Sequence, residues 1–293
     1  MSDTDFIAFK KKVLLERKFN FDNYSQEYVK RRVNVRMLSV GVPLDDWAAY
    51  NRRLDKDPGE YEKLFDTFSV NVTEFFRDPP LWVFFRSGFL NRMAAEKVTT
   101  GKRSLRIWSA GCSTGEEPYS LAMVVKDSIP SSIAVTIIAT DIDAGAIAKA
   151  EEGLYGEEAM KNMSAVNPFY IKQYFKHAGE TAYGSAIYKI DDCIRSMVQF
   201  KRHHFIDDGP FSSVDMILCR NAMIYIGREV KKKVLGIFHQ ALVNGGRLVL
   251  GKTEVVFASR GGNMFAIENL AEHVYRKIKV VAQGECNGKD SGS

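Results

Sequence analysis

Gly111 and Gly115 share one short loop, Glu116 and Glu117 follow it directly, and Asp141 ends the next apolar run, Ile137-Ile-Ala-Thr140. Glycines in such a loop let the backbone approach a ligand closely. A carboxylate at the end of the neighbouring strand accepts hydrogen bonds from the hydroxyls of a ribose. That is the chemistry of a nucleoside-cofactor site. The loop Gly111-Cys-Ser-Thr-Gly115 has neither the G-x-G-x-x-G spacing of a dinucleotide site nor the Gly-Lys-Ser/Thr that cradles a triphosphate. Acidic side chains would repel a pyrophosphate, but they suit S-adenosylmethionine, whose ammonium and sulfonium are cationic. A glycine turn between strand and helix is also a common structural device and accounts for the two glycines equally well. Asp143 reads first as the cap of a helix starting at 144.

The elements that would position these groups alternate from residue 100 onward. Strands are expected over 105–110, 135–140, 214–219 and 247–251, and helices over 116–127, 144–152 and 228–243. Such alternation predicts a parallel sheet wrapped by helices. Gly245-Gly246 reads as the stop of the long helix. Between 155 and 200 the rhythm breaks: 170–175 is helix-like, whereas Gly179, Gly184 and the alternating run 186–190 predict a small β insertion, placed at 176–200. Residues 264–278 read as a closing antiparallel hairpin, and 283–293 as a disordered polar tail.

Upstream, residues 1–70 show helical periodicity without a convincing strand. Phe6, Phe9, Val13 and Leu14 form one stripe, and Val29, Val33, Met37 and Val40 another. Asp57-Pro-Gly59 punctuates this region, and Asp78-Pro-Pro80 predicts the end of the next segment. The layout is a helical domain at 1–70, a linker at 71–90 and an α/β domain at 91–282.

With 293 residues and 45% hydrophobic content, the chain can bury one large core plus a smaller one, and it is too apolar for disorder. Its apolar runs are of strand length, and the acidic start Met1-Ser-Asp-Thr-Asp5 lacks the basic head and apolar stretch of a leader. Neither a membrane span nor a secretory signal is expected. Cys112, Cys193, Cys219 and Cys286 form no C-x-x-C pair, which supports neither a zinc site nor a disulfide framework and fits a reducing compartment. His203-His204 has no third ligand at suitable spacing, so no metal is expected. The net charge of +5 is concentrated: residues 8–36 hold nine Lys or Arg against three Asp or Glu. An acidic partner for this region follows.

Five segments in series, Asn71-Val-Thr-Glu-Phe-Phe-Arg-Asp78, Trp108-Ser-Ala-Gly-Cys-Ser-Thr-Gly-Glu-Glu-Pro-Tyr-Ser120, Ala139-Thr-Asp-Ile-Asp143, Leu218-Cys-Arg-Asn-Ala-Met-Ile-Tyr225 and Gly251-Lys-Thr-Glu254, resemble the bacterial chemotaxis methyltransferases of the CheR type. The resemblance implies a Rossmann-like, class I S-adenosylmethionine-dependent methyltransferase domain with a small antiparallel β insertion, preceded by an all-α domain. It implies methyl transfer to side-chain carboxylates of glutamates on chemoreceptor cytoplasmic helices, a protein-glutamate O-methyltransferase activity in adaptation, with S-adenosylhomocysteine as product. Carried over by residue, Asn71, Thr73 and Arg77 would contact the cofactor from the linker, Gly111 by close backbone approach, and Glu116 and Asp141 as acidic contacts. Arg220 and Asn221 would contact it after the fourth strand. A further cofactor-contacting pair falls at His204 and Phe205, where this sequence departs from the family's Asn-Leu.

A glutamate carboxylate is ionised at neutral pH, so attack on a methyl carbon needs positioning rather than a strong base. Arg77 and Tyr225 are the catalytic candidates, one charge and one hydroxyl near the methyl group. Lys30, Arg31, Arg32 and Arg36 are the candidates for recognising the acidic receptor helix. The partners implied are chemoreceptor cytoplasmic domains, with a receptor's C-terminal tail peptide able to add a strand to the insertion. Neither nucleic acid nor membrane insertion is expected, and the place of action would be cytoplasmic, beside membrane receptor arrays. An RNA methyltransferase would suit the basic head, but aromatic-rich RNA-binding motifs and an Asn/Asp-Pro-Pro-Tyr loop are lacking. A cofactor-binding scaffold without turnover is the non-enzyme alternative, opposed by the intact Asn71-Val-Thr73, Arg77 and Tyr225.

Overall fold

The computed structural model describes residues 3–68, 73–256 and 264–278; Asn71 and the tail 283–293 lie outside the described residues. The first part is helical: α1 (Asp3–Arg17), α2 (Gln26–Ser39), α3 (Trp47–Lys56) and α4 (Glu60–Asp66). Side-chain oxygens satisfy orphan amides at two of their starts, Ser25 Oγ accepting from Tyr28 N at 3.4 Å and Asp46 accepting from Ala49 N at 2.9 Å. Phe6, Phe9 and Val13 pack with Val29, Val33 and Met37 and with Trp47, Tyr50 and Leu54. Leu14 does not join its expected stripe and is 39% exposed, because the buried arc of α1 is narrower than the apolar pattern suggests.

Glu60 is fully buried in this small core. Its two oxygens take Nε and a terminal nitrogen of Arg36 at 2.6 Å each, and the Tyr50 hydroxyl donates to it at 2.8 Å. Arg36 therefore ties α2 to α4, a structural role beyond its assignment to receptor recognition. Glu60→Gln leaves a partly buried guanidinium without its counter-charge and is expected to cost about 2–4 kcal/mol of stability. Denaturant unfolding of parent and variant reads this; a change under about 0.5 kcal/mol would show the pair to be dispensable.

The second part opens with α5 (Pro79–Phe84), a kink (Phe85–Phe89) in which Ser87 and Gly88 leave helical geometry, and α6 (Leu90–Thr99). Asp78-Pro-Pro80 therefore starts a helix instead of ending one: the prolines occupy its first turn, where no amide is needed. There follow β1 (Ser104–Ala110), α7 (Glu116–Ser128), β2 (Ala134–Asp141), α8 (Ala144–Glu152), β3 (Leu154–Gly156), α9 (Met163–Val166), α10 (Tyr170–Tyr174), β4 (Phe175–Glu180), β5 (Ala186–Ile190) and α11 (Asp192–Arg195). The chain continues through β6 (Val198–Arg202), β7 (Val214–Cys219), α12 (Arg228–Ala241), β8 (Leu242–Leu250), β9 (Phe265–Asn269) and β10 (Val274–Lys277).

Seven strands form one sheet in the order β6-β2-β1-β7-β8-β10-β9, parallel except for the final hairpin, where β10 runs antiparallel to both β8 and β9. Every residue of β7 is buried, as a central parallel strand covered on both faces requires. The topology reverses at β1, which lies between β2 and β7, so a crevice opens at their carboxyl ends. This is a Rossmann-like α/β fold behind an all-α domain, the architecture the motifs implied.

Two boundaries differ from expectation. The small antiparallel sheet, ordered β3-β5-β4, runs from Leu154 to Ile190, while Val198–Arg202 belongs to the large sheet. Strand β3 is too short to carry a periodic signal. The long helix ends at Ala241, before Gly245-Gly246, which lie inside β8; Gly245 adopts φ +72° where the β7–β8 register shifts. The glycines there serve a bulge instead of a helix stop.

Candidate active site

A cavity of about 380 Å³ opens at the carboxyl edge around β1, β2 and β7, of a size that suits a small-molecule cofactor. Gly111 and Gly115, at φ +81° and +95°, shape the loop after β1. A Cβ at Gly111 would stand 2.6 Å from that of Ala222, so only glycine lets the loop after β7 come this close. Phe76, Asp78, Ser113 and Asn221 hold positive φ although none is glycine, and all four belong to segments bordering this cavity. Such strain persists only where surrounding contacts enforce it.

Asp141 ends β2 with both oxygens fixed: Ser113 N donates to one at 2.8 Å and Asp143 N to the other at 3.0 Å. Each oxygen keeps a second acceptor position for a ligand hydroxyl. Burial, helped by the charge of Asp143, pushes this carboxyl above the usual aspartate range, against the opposing pull of the backbone amides of Asp143, Ser113 and Ile142. Asp143 caps α8 through Ala146 N, as expected. Glu116 and Glu117 divide differently from expectation. Glu117 lines the cavity, whereas Glu116 is not among the lining residues, and its carboxylate accepts from Thr114 Oγ1 at 2.7 and 3.0 Å. Adjacent helical residues point about 100° apart, so Glu117 faces the cavity while Glu116 turns back onto the loop.

Arg220 directly follows β7 and is buried. Its terminal nitrogens donate to Glu117 at 3.2 Å, to Asp78 at 2.6 Å and to the carbonyl of Arg77 at 2.9 Å. The same carbonyl accepts from Trp82 Nε1 at 2.8 Å. Arg220 thus clamps the segment carrying Arg77 to the sheet. Its Nε, like Asn221 Oδ1, is buried without a protein partner among the described residues. One orphaned donor and one orphaned acceptor, on two residues that line the cavity, fit a ligand that is itself polar on both counts. Glu254 holds this loop from behind, accepting from Gly251 N, Asn221 N and Met223 N at 2.8–2.9 Å.

Thr73, Arg77, His204, Phe205, Asn221 and Tyr225 also line the cavity. His204 is oriented by Asp207, 2.8 Å from Nδ1. Sequence reasoning missed the wall contributed by the helical domain: Tyr24, Tyr28 and Phe68. Ser25 N donates to Tyr225 O at 3.1 Å, Gly227 N to Asn23 O at 3.3 Å, and Tyr24 bridges Ile226. Tyr225 accordingly packs on the helical-domain core, and its neighbour Ile224 is 41% exposed, not core. No local signal marks such a wall; the roles of Asp78 and Glu254 lay inside the quoted motifs. Among the described residues no His, Cys, Asp and Glu cluster could hold a metal, and no helix is long and apolar enough to cross a membrane.

Residues 71–271 match the family model described as the SAM-binding domain of CheR methyltransferase, and residues 4–69 match its all-alpha domain. The chain is 30% identical to Pseudomonas putida Cher3 over 90% of its own length and 93% of that protein. It is 29% identical to the chemotaxis protein methyltransferase of Listeria monocytogenes, covering 87% of this chain and 91% of that protein. With chemotaxis protein methyltransferase 1 of Pseudomonas aeruginosa it shares 32% identity over 73% of each.

Proposed function

The chain belongs to the CheR methyltransferase family, with S-adenosylmethionine as its cofactor, and on that premise we propose that it methylates glutamate carboxylates on chemoreceptor cytoplasmic helices. The observation that carries the reading is the shared wall: the cavity at the sheet edge is completed by Tyr24 and Tyr28 of the helical domain, and Arg31 of α2 lies 5.8 Å from the ring of Tyr225 at its margin. A basic helix at the mouth of a methyl-donor pocket suits an acidic helical substrate. The names of the Listeria and Pseudomonas aeruginosa relatives support a role in chemotaxis. A cytoplasmic place of action beside receptor arrays follows from that substrate.

When bound, S-adenosylmethionine supplies an electrophilic methyl group on a sulfonium. Asp141 would hold the ribose, Gly111 would admit the ligand by close approach, and Thr73, His204, Phe205 and Asn221 would complete its enclosure. Asn71, outside the described residues, is proposed from its motif alone, and Glu116 is replaced in the wall by Glu117. Arg220 acts by fixing Arg77 and Asp78, with Nε left for the ligand. Arg77 and Tyr225 would align the substrate carboxylate with the methyl group without pairing it so tightly that it loses nucleophilicity. The β3-β5-β4 sheet has two outer strands, either able to accept a receptor tail as an added strand.

Incubation with labelled cofactor and a panel of receptor cytoplasmic fragments tests the function. Label released by mild base, as from a carboxyl methyl ester, is expected; base-stable label, or label on RNA only, would overturn it. Within that assay Tyr225→Phe is expected to lower turnover about tenfold while changing S-adenosylhomocysteine affinity far less, since the hydroxyl is assigned to the reacting groups and the ring to packing. Turnover within twofold of parent, with Arg77→Ala inactive, would leave positioning to the arginine.

A further inference from the structure

We propose that Tyr28 is a positioning residue for methyl transfer, holding the ring of Tyr225 by stacking across the domain boundary; this rests on the methyltransferase function proposed above. The two rings lie 4.2 Å apart between centroids and 7° from parallel, the closest ring pair among the described residues. Tyr225 is otherwise held at its backbone, where its carbonyl accepts from Ser25 N at 3.1 Å, and by the Arg31 guanidinium 5.8 Å from its ring centre, so the stack is what sets the plane of the ring. It follows the exposed Ile224, lines the cavity and packs on the other domain's core.

Tyr28 is held by more contacts, although it too borders the cavity. Its amide donates to the Ser25 cap at 3.4 Å, its hydroxyl donates to Phe68 O at 2.8 Å, and the Phe68 ring meets it edge-on at 5.7 Å. The guanidinium groups of Arg31 and Arg32 lie 5.7 and 5.3 Å from its ring centre. With its hydroxyl committed to a backbone carbonyl, Tyr28 offers the reaction a surface and not a proton donor. A buried, hydrogen-bonded ring stacked on a half-buried one restricts the partner's orientation, and aromatic pairs of this kind exceed the value of their buried area. The helical domain, which carries the basic face toward substrate, thereby also sets the angle of the catalytic hydroxyl.

The test is a double-mutant cycle on the full chain, with receptor-fragment methylation giving kcat and KM and calorimetry giving S-adenosylhomocysteine affinity. Tyr28→Leu is expected to lower kcat about tenfold, and more than it lowers cofactor affinity. Tyr28→Phe, which keeps the ring, should recover most of that loss. In a Tyr225→Phe background Tyr28→Leu should cost less than a further twofold, because the hydroxyl it positions is gone. If Tyr28→Leu does not fold, Tyr28→Met, flexible and without a flat face, takes its place in the cycle. Equal losses in both backgrounds, or kcat within twofold of parent, overturn the inference and leave the function standing. A parent without turnover on any receptor fragment overturns both.

Discussion

Asp141→Ala is expected to weaken S-adenosylhomocysteine binding by at least tenfold in calorimetry. Two ribose hydroxyls lose a charged acceptor, worth about 1.5–3 kcal/mol for hydrogen bonds to an ionised group. The backbone adds to this, because the amides of Ser113 and Asp143 lose their acceptor together and the glycine loop loosens. Asp141→Asn is no conservative rescue: its amide nitrogen would face one of those two donors. Unchanged affinity in the alanine variant would remove Asp141 from the site.

The same residue imposes a pH dependence with a definite sign. Burial raises the Asp141 carboxyl above the usual aspartate range, so in the free enzyme it protonates earlier as pH falls. On the proposed ribose contact the ionised form would be the acceptor, and affinity should therefore decline on acidification at higher pH than an unperturbed aspartate would give. Stability runs the other way. A carboxyl whose folded pKa lies above its unfolded value favours the unfolded state as pH rises through that window, so its cost is relieved on acidification. Burial also raises Glu117, with Arg220 opposing, so the Asp141 part is the difference between parent and Asp141→Ala. Parallel pH curves for the two proteins would show that Asp141 does not titrate in the site.

What was legible in the sequence was whatever a local pattern encodes. The β1 loop, the Asp141 strand end, the Asp143 cap and the closing hairpin follow from glycine placement, burial period and capping chemistry over a few residues. Gly245-Gly246 misled because glycine serves a bulge as well as a helix stop, and only the neighbouring strand decides. The partners of Glu60, Arg220 and Tyr225 come from segments distant in sequence, and no period within one segment reports them. Glu116 and Glu117 were equivalent on composition; the rotation of α7 chose between them.

That dependence on tertiary pairing also reshapes the receptor face, where Arg31→Glu with Arg32→Glu is the decisive change. Four basic residues of α2 were candidates, but Arg36 is committed to Glu60, and Lys30 leans on α1, 3.7 Å from Asp3 and 5.1 Å from the Phe6 ring centre. Arg31 and Arg32 remain, on the side of the helix that meets Tyr28 and, for Arg31, Tyr225. Reversing both should raise the KM for receptor fragments at least tenfold and flatten its salt dependence, since the screened attraction is gone. Turnover should also fall, because a carboxylate placed against the negative face of the Tyr28 ring disturbs the stack on Tyr225. Arg31→Gln with Arg32→Gln separates the two effects, removing attraction without adding repulsion at the ring: KM should still rise, with kcat less affected. S-adenosylhomocysteine affinity should stay near parent in the glutamine pair. Identical receptor kinetics for parent and both variants across a salt series would sink the assignment and move substrate recognition to the β3-β5-β4 sheet.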